Sequence, residues 1–362
     1  MSHMGAVQRA PAEQQHAVEL AALRATDRDP RPPGWQLSMR AVKRFILGTP
    51  EEPATARLVL PHALLERALV TLASNRALLL VGEPGTAKSL LSELLAAAIS
   101  GDSTLTIQGG AGTGEDQIKY GWNYALLLNE GPSERALVPA PLLNGMRRGQ
   151  LVRFEEITRC PAEVQDSLLS VLSERVLMIP ELGTEAVVPA RPGFNLIATA
   201  NVRDRGVNEM SAALKRRFAF ETVFPIADLD AELALVERES ARLLAEAGVP
   251  APPAREVLEV LVGAFRELRE GVDAEGGGMD RMGTVLSTAE AVSVALAIGL
   301  RGHYLRGDRG EPGDIVEALA GTAVKDDPED LKKLRRWLEQ RVGKRKSAAW
   351  QAFYQARHRL PG

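Results

Sequence analysis

The feature that most constrains this chain is the stretch LLLVGEPGTAKSLLSELLAAA at residues 78–98. An apolar run ends at a glycine, a short loop of small residues follows, and a helical pattern begins at Lys88 and Ser89. Such a loop presents converging backbone amides and the positive end of a helix to an anion. The order of strand, loop, Lys-Ser and helix therefore predicts a phosphate-binding site. A strand-to-helix turn with an incidental surface lysine is the alternative.

The side chains of this loop predict that the anion belongs to a nucleotide. Lys88 would reach the outer phosphates, and Ser89 would hold the Mg²⁺ that accompanies a nucleotide. Gly85 is expected to have a positive φ. A second glycine is usual where this chain has Ala87, and we expect helical dihedrals there, in which alanine is favourable. The predicted nucleotide-binding residues are Gly82, Glu83, Pro84, Gly85, Thr86, Ala87, Lys88, Ser89 and Leu90.

Short apolar runs alternate with helical patterns from residue 55 to residue 225, which predicts crossover units and a mostly parallel sheet. The predicted strands are 77–82, 103–109, 150–156, 194–201 and 218–225. A helix is predicted over 11–26 and another after Pro161. Beyond Pro225 only helical patterns follow, at 228–247, 254–270, 287–300, 313–323 and two places nearer the C-terminus. Ser287 and Glu290 have the spacing of a capping box.

These patterns predict four regions: a partly ordered arm (1–54), an α/β core (55–225), an all-helical domain (226–325) and a basic helical extension (326–362). The net charge of the chain is −3, but residues 331–362 contain ten Lys or Arg and one acid, Glu339. Such a segment could bind a nucleic acid, but a solvated helix face or a segment docked on an acidic surface is favoured. No apolar run approaches the ~20 residues of a membrane span. The single Cys160 suits the cytoplasm, since it cannot form an internal disulfide.

A second motif, QLVRFEEITR, places Glu155 and Glu156 at the end of a predicted strand. Adjacent strand residues point to opposite faces, so we expect the two carboxylates to have different roles. Glu155 would hold Mg²⁺ near Ser89, and Glu156 would polarise the water that attacks the γ-phosphate. Aspartate is usual at position 155, so slower hydrolysis is expected. Arg153 would either pair with an acid on the sheet face or mark a partly uncovered strand.

Together these motifs resemble those of AAA+ ATPases, and within that class those of the MoxR family. GEPGTAKS is similar to that family's phosphate loop, including its alanine, and FEEITRCPAEVQDSLLSVLSE is similar to its second motif and the following helix. GFNLIATANVRDRGVNEMSAALKRRFAFETVFP resembles its sensor strand and arginine segment. The resemblance covers about residues 55–325. It implies an AAA+ core with a parallel five-stranded sheet, followed by an all-helical lid domain.

The resemblance also implies roles for further residues. Asn201 would be the sensor that contacts the γ-phosphate or the attacking water. Arg216 and Arg217 match the segment that supplies an arginine finger to a neighbouring subunit; Arg217 is favoured, and either could instead pair locally. The family usually has a lid arginine where this chain has Ala289. That arginine is therefore absent here, unless Arg281 just upstream supplies the charge.

Residues 113–143 and 174–193 resemble the inserts with which such machines touch their substrate, and the second is predicted to be a hairpin. The resemblance implies a ring, a hexamer, that hydrolyses Mg-ATP to remodel proteins or act as a chaperone. A protein with a von Willebrand factor A domain is the implied partner, and no client is indicated. The alternatives are a nucleotide-gated binding switch and, less favoured, a nucleic-acid motor.

Overall fold

The computed structural model describes residues 9–49, 56–201, 208–273, 275–283, 286–324 and 327–361. The predicted boundaries at 54/55 and 325/326 lie outside the described residues, as do residues 202–207 of the predicted sensor and arginine segment. Contacts divide the chain into two units. The first comprises the chain up to Gly82 and Ala87–Val223, and the second comprises Glu83–Thr86 and the chain from Phe224 onward.

The main sheet of the first unit has five parallel strands in the order β2-β5-β8-β1-β9, as predicted. Two further antiparallel pairs, β3 with β4 and β6 with β7, lie in the two inserts, and the second pair confirms the predicted hairpin. The strands are β1 (Ala77–Gly82), β2 (Thr106–Gln108), β3 (Tyr120–Trp122), β4 (Leu137–Pro139), β5 (Leu151–Glu155), β6 (Val176–Met178), β7 (Val187–Pro189), β8 (Asn195–Asn201) and β9 (Phe218–Thr222).

The described helices of the first unit are α1 (Ala12–Gln15), α2 (Ala17–Thr26), α3 (Met39–Leu47), α4 (His62–Leu72), α5 (Lys88–Ser100), α6 (Glu115–Ile118), α7 (Tyr124–Glu130), α8 (Pro141–Arg148), α9 (Ala162–Asp166), α10 (Leu169–Glu174) and α11 (Ala212–Lys215). Those of the second unit are α12 (Leu229–Glu246), α13 (Arg255–Glu270), α14 (Thr288–Arg301), α15 (Asp314–Leu319), α16 (Pro328–Gln340) and α17 (Ala348–Gln355). No helix within these ranges is long and apolar enough to cross a membrane.

Strand β1 shows why the sheet has a core on each face. Its side chains alternate: Leu78 and Leu80 join one buried apolar cluster, and Leu79 joins the other. The first cluster also contains Leu20 of α2 and Phe45 of α3, both fully buried. The described part of the predicted arm is therefore folded into the first unit.

Two predicted helices are each divided into two. The predicted helix over 11–26 is broken at His16, whose backbone leaves the helical region and whose ring packs edge-on against Phe45. The helix predicted after Pro161 becomes α9 and α10, because the chain tightens between them to a 3₁₀-type bond from Leu168 N–H to the Gln165 carbonyl. The sequence period continues through both breaks, so it did not reveal them.

The helices of the second unit share one core, which includes Phe265 of α13, Ile298 of α14 and Phe353 of α17. Ser287 and Glu290 form the predicted capping box of α14. Six of the ten basic side chains in 331–362 pair with acids of the same unit, which favours docking on an acidic surface over nucleic-acid binding. The pairs are Lys332–Glu329, Lys333–Asp330, Arg336–Asp280, Arg341–Asp273, Arg345–Glu267 and Arg359–Glu317.

Candidate nucleotide-binding site

Most of the predicted site residues meet at the carboxyl edge of the main sheet; the two candidate finger arginines do not. Gly82, the last residue of β1, lies opposite Asn201, the last residue of β8. Glu155 ends β5, which pairs with the other side of β8. Ligands of parallel sheets bind at the carboxyl ends of the strands. The fold therefore brings the phosphate loop, the acidic pair and the sensor asparagine to one place.

The phosphate loop runs from the end of β1 into the first turn of α5. Lys88 is only 6% exposed, and its Nζ donates a hydrogen bond to the Gly82 carbonyl at 3.1 Å. Thr86 Oγ1 donates to the Glu83 carbonyl at 3.0 Å. Ser89 is exposed in the first turn of α5. The ammonium and the hydroxyl thus flank the helix N-terminus, where an anion is stabilised.

Ala87 does not have the expected helical dihedrals. Its φ is 64° and its ψ is 23°, in the left-handed region, and it is the N-cap of α5. The helix itself begins at Lys88, as predicted, so Ala87 lies just outside it. This conformation costs a residue with a Cβ roughly 1–2 kcal/mol. The Ala87 side chain packs against the apolar cluster of Leu78 and Leu80, which offsets part of that cost. Gly85 has the predicted positive φ, 75°.

Four donors surround the Glu155 carboxylate, which is 5% exposed. Oε2 accepts from Ser89 Oγ at 2.7 Å and from Thr199 Oγ1 at 2.8 Å. Oε1 accepts from Ser92 Oγ at 2.6 Å and from Arg153 Nη2 at 2.9 Å. Burial raises the pKa of Glu155, but the serine hydroxyls, the guanidinium and Thr199 outweigh it and hold the pKa below its ordinary value. The carboxylate is therefore ionised and fixed against Ser89.

Arg153 pairs with an acid on the sheet face, which was one of its two predicted alternatives. Besides Glu155, its guanidinium donates to Ser92 Oγ at 2.9 Å and to the Ser89 carbonyl at 3.1 Å. It therefore ties the end of β5 to the first turns of α5. The longer side chain of glutamate in place of aspartate is accommodated by this set of contacts.

Ser92 and Thr199 are site residues that the sequence analysis missed, although each carries a signal. Ser92 follows Ser89 by three residues, so both hydroxyls share one face of α5. Thr199 precedes Asn201 by two residues, so both lie on one face of β8. Polar residues at these spacings in otherwise apolar elements could have been identified.

Glu156 adopts an unusual backbone conformation directly after β5. Its φ is 55° and its ψ is 45°, a left-handed conformation that is rare for glutamate. Its N–H donates to Thr199 Oγ1 at 2.9 Å, and its carboxylate lies 2.9 Å from Arg159 Nε. Such strain is found preferentially at functional sites. Glu155 and Glu156 thus have different surroundings, and the difference between their roles stays a prediction.

The residues present fit a Mg²⁺ ion bound together with a nucleotide. Mg²⁺ prefers oxygen ligands and is usually held by one or two carboxylates plus substrate phosphates. The Ser89 hydroxyl and the ionised Glu155 carboxylate supply such oxygens side by side. Within the described ranges no group of three or more His, Cys, Asp or Glu could hold a metal by itself. A metal here would therefore depend on ligand oxygens as well.

The two candidate finger arginines lie at the opposite, amino edge of the sheet. The Arg217 carbonyl accepts from the N–H of Ala77, the first residue of β1, whereas Gly82 is the last. Five residues of strand separate these positions by about 16 Å, which exceeds the reach of an arginine side chain. Neither arginine can therefore reach the phosphate loop of its own chain.

The two arginines differ in how they are held. Arg217 Nε donates to Ser173 Oγ at 3.0 Å, and its Nη1 donates to the Ala213 carbonyl at 3.2 Å. Arg216 is exposed, and its side chain makes no hydrogen bond or ion pair with the residues that the structure describes. The geometry therefore favours Arg216 as the available guanidinium, in contrast to the sequence-based preference for Arg217.

The second unit contains the two positions considered for a lid arginine. Ala289 lies in the first turn of α14. Arg281 Nη2 lies 3.3 Å from Glu83 Oε1, and both residues belong to the second unit. The charge of Arg281 is therefore already paired with a carboxylate.

Comparisons with known proteins also match two separate regions of the chain. Residues 77–218 match the model of the AAA domain (dynein-related subfamily), and residues 230–361 match that of the YehL-like AAA+ ATPase C-terminal domain. The chain is 61% identical to YehL of Escherichia coli (strain K12) over 356 residues, which cover 98% of both chains. It is 32% identical to SH1500 of Staphylococcus haemolyticus (strain JCSC1435) over 146 residues, 40% of this chain and 54% of that protein.

Among solved structures, the chain is similar to a crystal structure of NtrX from Brucella abortus, with a TM-score of 0.49 and 13% identity. The match covers 83% of this chain and 64% of the NtrX chain. The complex of NtrX with ADP matches with a TM-score of 0.47 and 15% identity.

Proposed function

The chain belongs to the YehL-like AAA+ ATPase family, and we propose that it hydrolyses Mg-ATP in sites shared between neighbouring copies. The observation that carries the proposal is the set of groups at the carboxyl edge of the sheet. A buried lysine, a hydroxyl, an ionised carboxylate and an asparagine converge there, each suited to one part of a triphosphate.

Each of these residues has a proposed role. Lys88 and the amides of the loop bind the phosphates, and Ser89 and Glu155 hold the metal, which when bound neutralises phosphate charge. Asn201 orients the attacking water or the γ-phosphate. Glu156 accepts a proton from that water, and its pair with Arg159 must open for it to do so.

The site also needs a guanidinium that its own chain cannot deliver. Arg216 lies at the far edge of the sheet, exposed and without a partner among the described residues, so we propose that it enters the site of a neighbouring copy. An arginine supplied in this way contributes about 10³–10⁵-fold to phosphoryl transfer. Repetition of the contact around a closed ring, a hexamer, gives every copy one complete site.

The resemblance to MoxR proteins suggests a cellular role and a partner for this ATPase. We propose a cytoplasmic remodelling or chaperone ATPase that acts with a protein bearing a von Willebrand factor A domain. The resemblance of the three motifs supports this assignment, and the lone Cys160 suits a reducing compartment. Binding of a purified domain of that type, in the presence and absence of ATP, would test the partnership directly.

Steady-state ATP hydrolysis measured against protein concentration tests the enzymatic proposal. Turnover per chain should rise cooperatively with concentration, because each site is completed by assembly. Glu156→Gln should lower turnover by about 10²–10⁴-fold and keep nucleotide affinity. Glu163→Gln, which removes an exposed carboxylate from α9, is the matched control and should hydrolyse normally. Normal turnover in Glu156→Gln would reject the proposed general base.

One contact favours a second candidate, a nucleotide-gated switch with little hydrolysis. The Glu156 carboxylate is paired with Arg159, and a pair that stayed closed would keep Glu156 from activating water. If the protein is a hydrolase, Arg159→Met should raise turnover by about two- to fivefold, because it releases the Glu156 carboxylate from a partly exposed ion pair of modest strength. For the switch, wild type and Arg159→Met should both bind a fluorescent ATP analogue and show no turnover at any concentration.

A further inference from the structure

A groove lies between the two inserts of the first unit, away from the phosphate loop. It encloses about 590 Å³ and is bordered by α6, the β3–β4 pair, and the end of β6 with the connection that follows it. Its acidic and aromatic lining residues are Glu115, Asp116, Tyr120, Trp122, Tyr124 and Glu181. None of them belongs to the candidate nucleotide-binding site.

Aromatic and apolar side chains form the walls of the groove; Tyr120 and Trp122 are half-buried, whereas Tyr124, Val138 and Met178 are exposed. The rings of Tyr120 and Trp122 meet edge to face, 6.1 Å apart, and Tyr124 is 75% exposed. Val138 is 49% exposed and Met178 is 55% exposed. Exposed aromatic and apolar side chains gathered in one concavity are typical of a binding surface. The faces of such rings attract cations, most often the guanidinium of arginine.

The charges of the groove are predominantly negative. Its three carboxylates are opposed by one ammonium, Lys119, which is already paired with Glu115 at 2.7 Å. Asp116 is exposed and has no hydrogen bond or ion pair among the described residues. Tyr120 Oη donates to Glu181 at 3.0 Å, and burial together with that carboxylate raises the pKa of Tyr120 to about 12. The phenol therefore stays neutral, and Asp116 keeps an uncompensated charge.

We propose that this groove binds an arginine or lysine side chain of an extended polypeptide, whose neighbouring apolar residue packs on Val138 and Met178. The aromatic rings and Asp116 would surround the cation, and the exposed apolar side chains would receive the residue beside it. A nucleic acid or an acidic peptide would be repelled by the same carboxylates. The inference goes beyond ATP hydrolysis, because it concerns a separate part of the first unit and the chemistry of what that part holds.

Fluorescence anisotropy with defined peptides tests the inference. The probe is a short fluorescein-labelled peptide of alternating arginine and leucine, measured at physiological ionic strength. The comparison peptides replace every arginine with citrulline, which keeps the shape and removes the charge, or with glutamate. The arginine peptide should bind at least about fivefold more tightly than the citrulline peptide, as expected for one cation–aromatic contact and one ion pair. Equal binding of the two would overturn the inference.

Exposed-site variants locate the binding on the protein. Asp116→Asn and Tyr124→Ser should each weaken binding of the arginine peptide by about two- to fivefold. Glu185→Gln, which removes an exposed charge from the same hairpin but outside the groove, should leave it unchanged. Equal weakening by Glu185→Gln would mean that only net charge matters and would also overturn the inference. Binding of a fluorescent ATP analogue in the same samples reports on the phosphate loop separately, so failure of either proposal can be distinguished.

Discussion

The two edges of the main sheet in the first unit differ in how firmly their charged side chains are held. At the carboxyl edge the Glu155 carboxylate accepts four hydrogen bonds, and Lys88 is buried against the end of β1. At the amino edge Arg216 is exposed and has no partner among the described residues. Preorganised polar groups stabilise developing charge without reorganising at the moment of reaction. The polar groups of the carboxyl edge are thus held in place by contacts within the chain, whereas the side chain of Arg216 at the amino edge is not.

The largest predicted effect is on ATP turnover, when Arg216 is removed from one copy of the chain and Lys88 from another. Arg216→Ala should bind a fluorescent ATP analogue normally and lose at least about 10³-fold in turnover, the usual value of an arginine finger. Lys88→Ala should lose nucleotide binding and also turnover. Mixed together, the two inactive variants should regain part of the activity, because the intact loop of one can receive the intact Arg216 of the other.

Arg217→Ala is the matched control for this experiment. Since its guanidinium already contacts Ser173 and the Ala213 carbonyl, its removal should cost less turnover than removal of Arg216. No recovery of activity on mixing, across a range of ratios, would mean that Arg216 does not act across a shared site. A larger loss in Arg217→Ala would restore the sequence-based preference.

The next largest effect should fall on the stability of the carboxyl edge. Arg153→Met should destabilise the first unit by about 3–5 kcal/mol, because it leaves the buried Glu155 carboxylate without its cation. Arg148→Met is the control: Arg148 lies 3.9 Å from Asp102 at an exposed position, so less than about 1 kcal/mol is expected. Hydrogen exchange of peptides from β5 and α5 during urea titration measures both. Similar values for the two variants would mean that the contacts around Glu155 contribute little to stability.

Much of the carboxyl edge could be predicted from sequence, because its elements are local patterns in a fixed order. About ten residues of sequence are enough to recognise each of them: the strand ending at Gly82, the helix beginning near Lys88 and the Glu155–Glu156 pair. Parallel strands then bring their carboxyl ends together whatever the loops between them. The five strands of the sheet were identified for the same reason.

What sequence could not predict depends on contacts between distant elements or on single backbone dihedrals. The hydrogen bonds of Arg153 to α5 join residues about sixty positions apart, so only the need for some acidic partner was apparent. The choice between Arg216 and Arg217 depends on Ser173, which lies on another helix. The left-handed conformation of Ala87 contradicts its own propensity and is imposed by the loop.

The pH dependence of stability tests whether the contacts around Glu155 stabilise its ionised form. The pKa of Glu155 in the folded chain is below its ordinary value of 4.5. Its contribution to stability is therefore fully present above pH 4.5 and is lost as the pH falls through the lowered folded value. The stability of wild type should converge on that of Glu155→Gln as acid is added, whereas Glu163→Gln should follow wild type throughout. A constant gap between wild type and Glu155→Gln would exclude a lowered pKa.

The smallest effect should come from Ala87, at the point where the phosphate loop becomes α5. Glycine adopts the left-handed conformation without a steric penalty, so Ala87→Gly should relieve strain, although it loses a methyl contact and makes the unfolded chain more flexible. The net result should be a gain of about 0.5 kcal/mol in the stability of the first unit, measured by hydrogen exchange of peptides from β1 and α5. Ala87→Val should instead lose more than about 1 kcal/mol and weaken nucleotide binding, because a β-branched residue is least compatible with positive φ. If valine were tolerated as well as glycine, the backbone at position 87 would not be left-handed. The phosphate loop would then not be held in a fixed conformation as the rest of the carboxyl edge is.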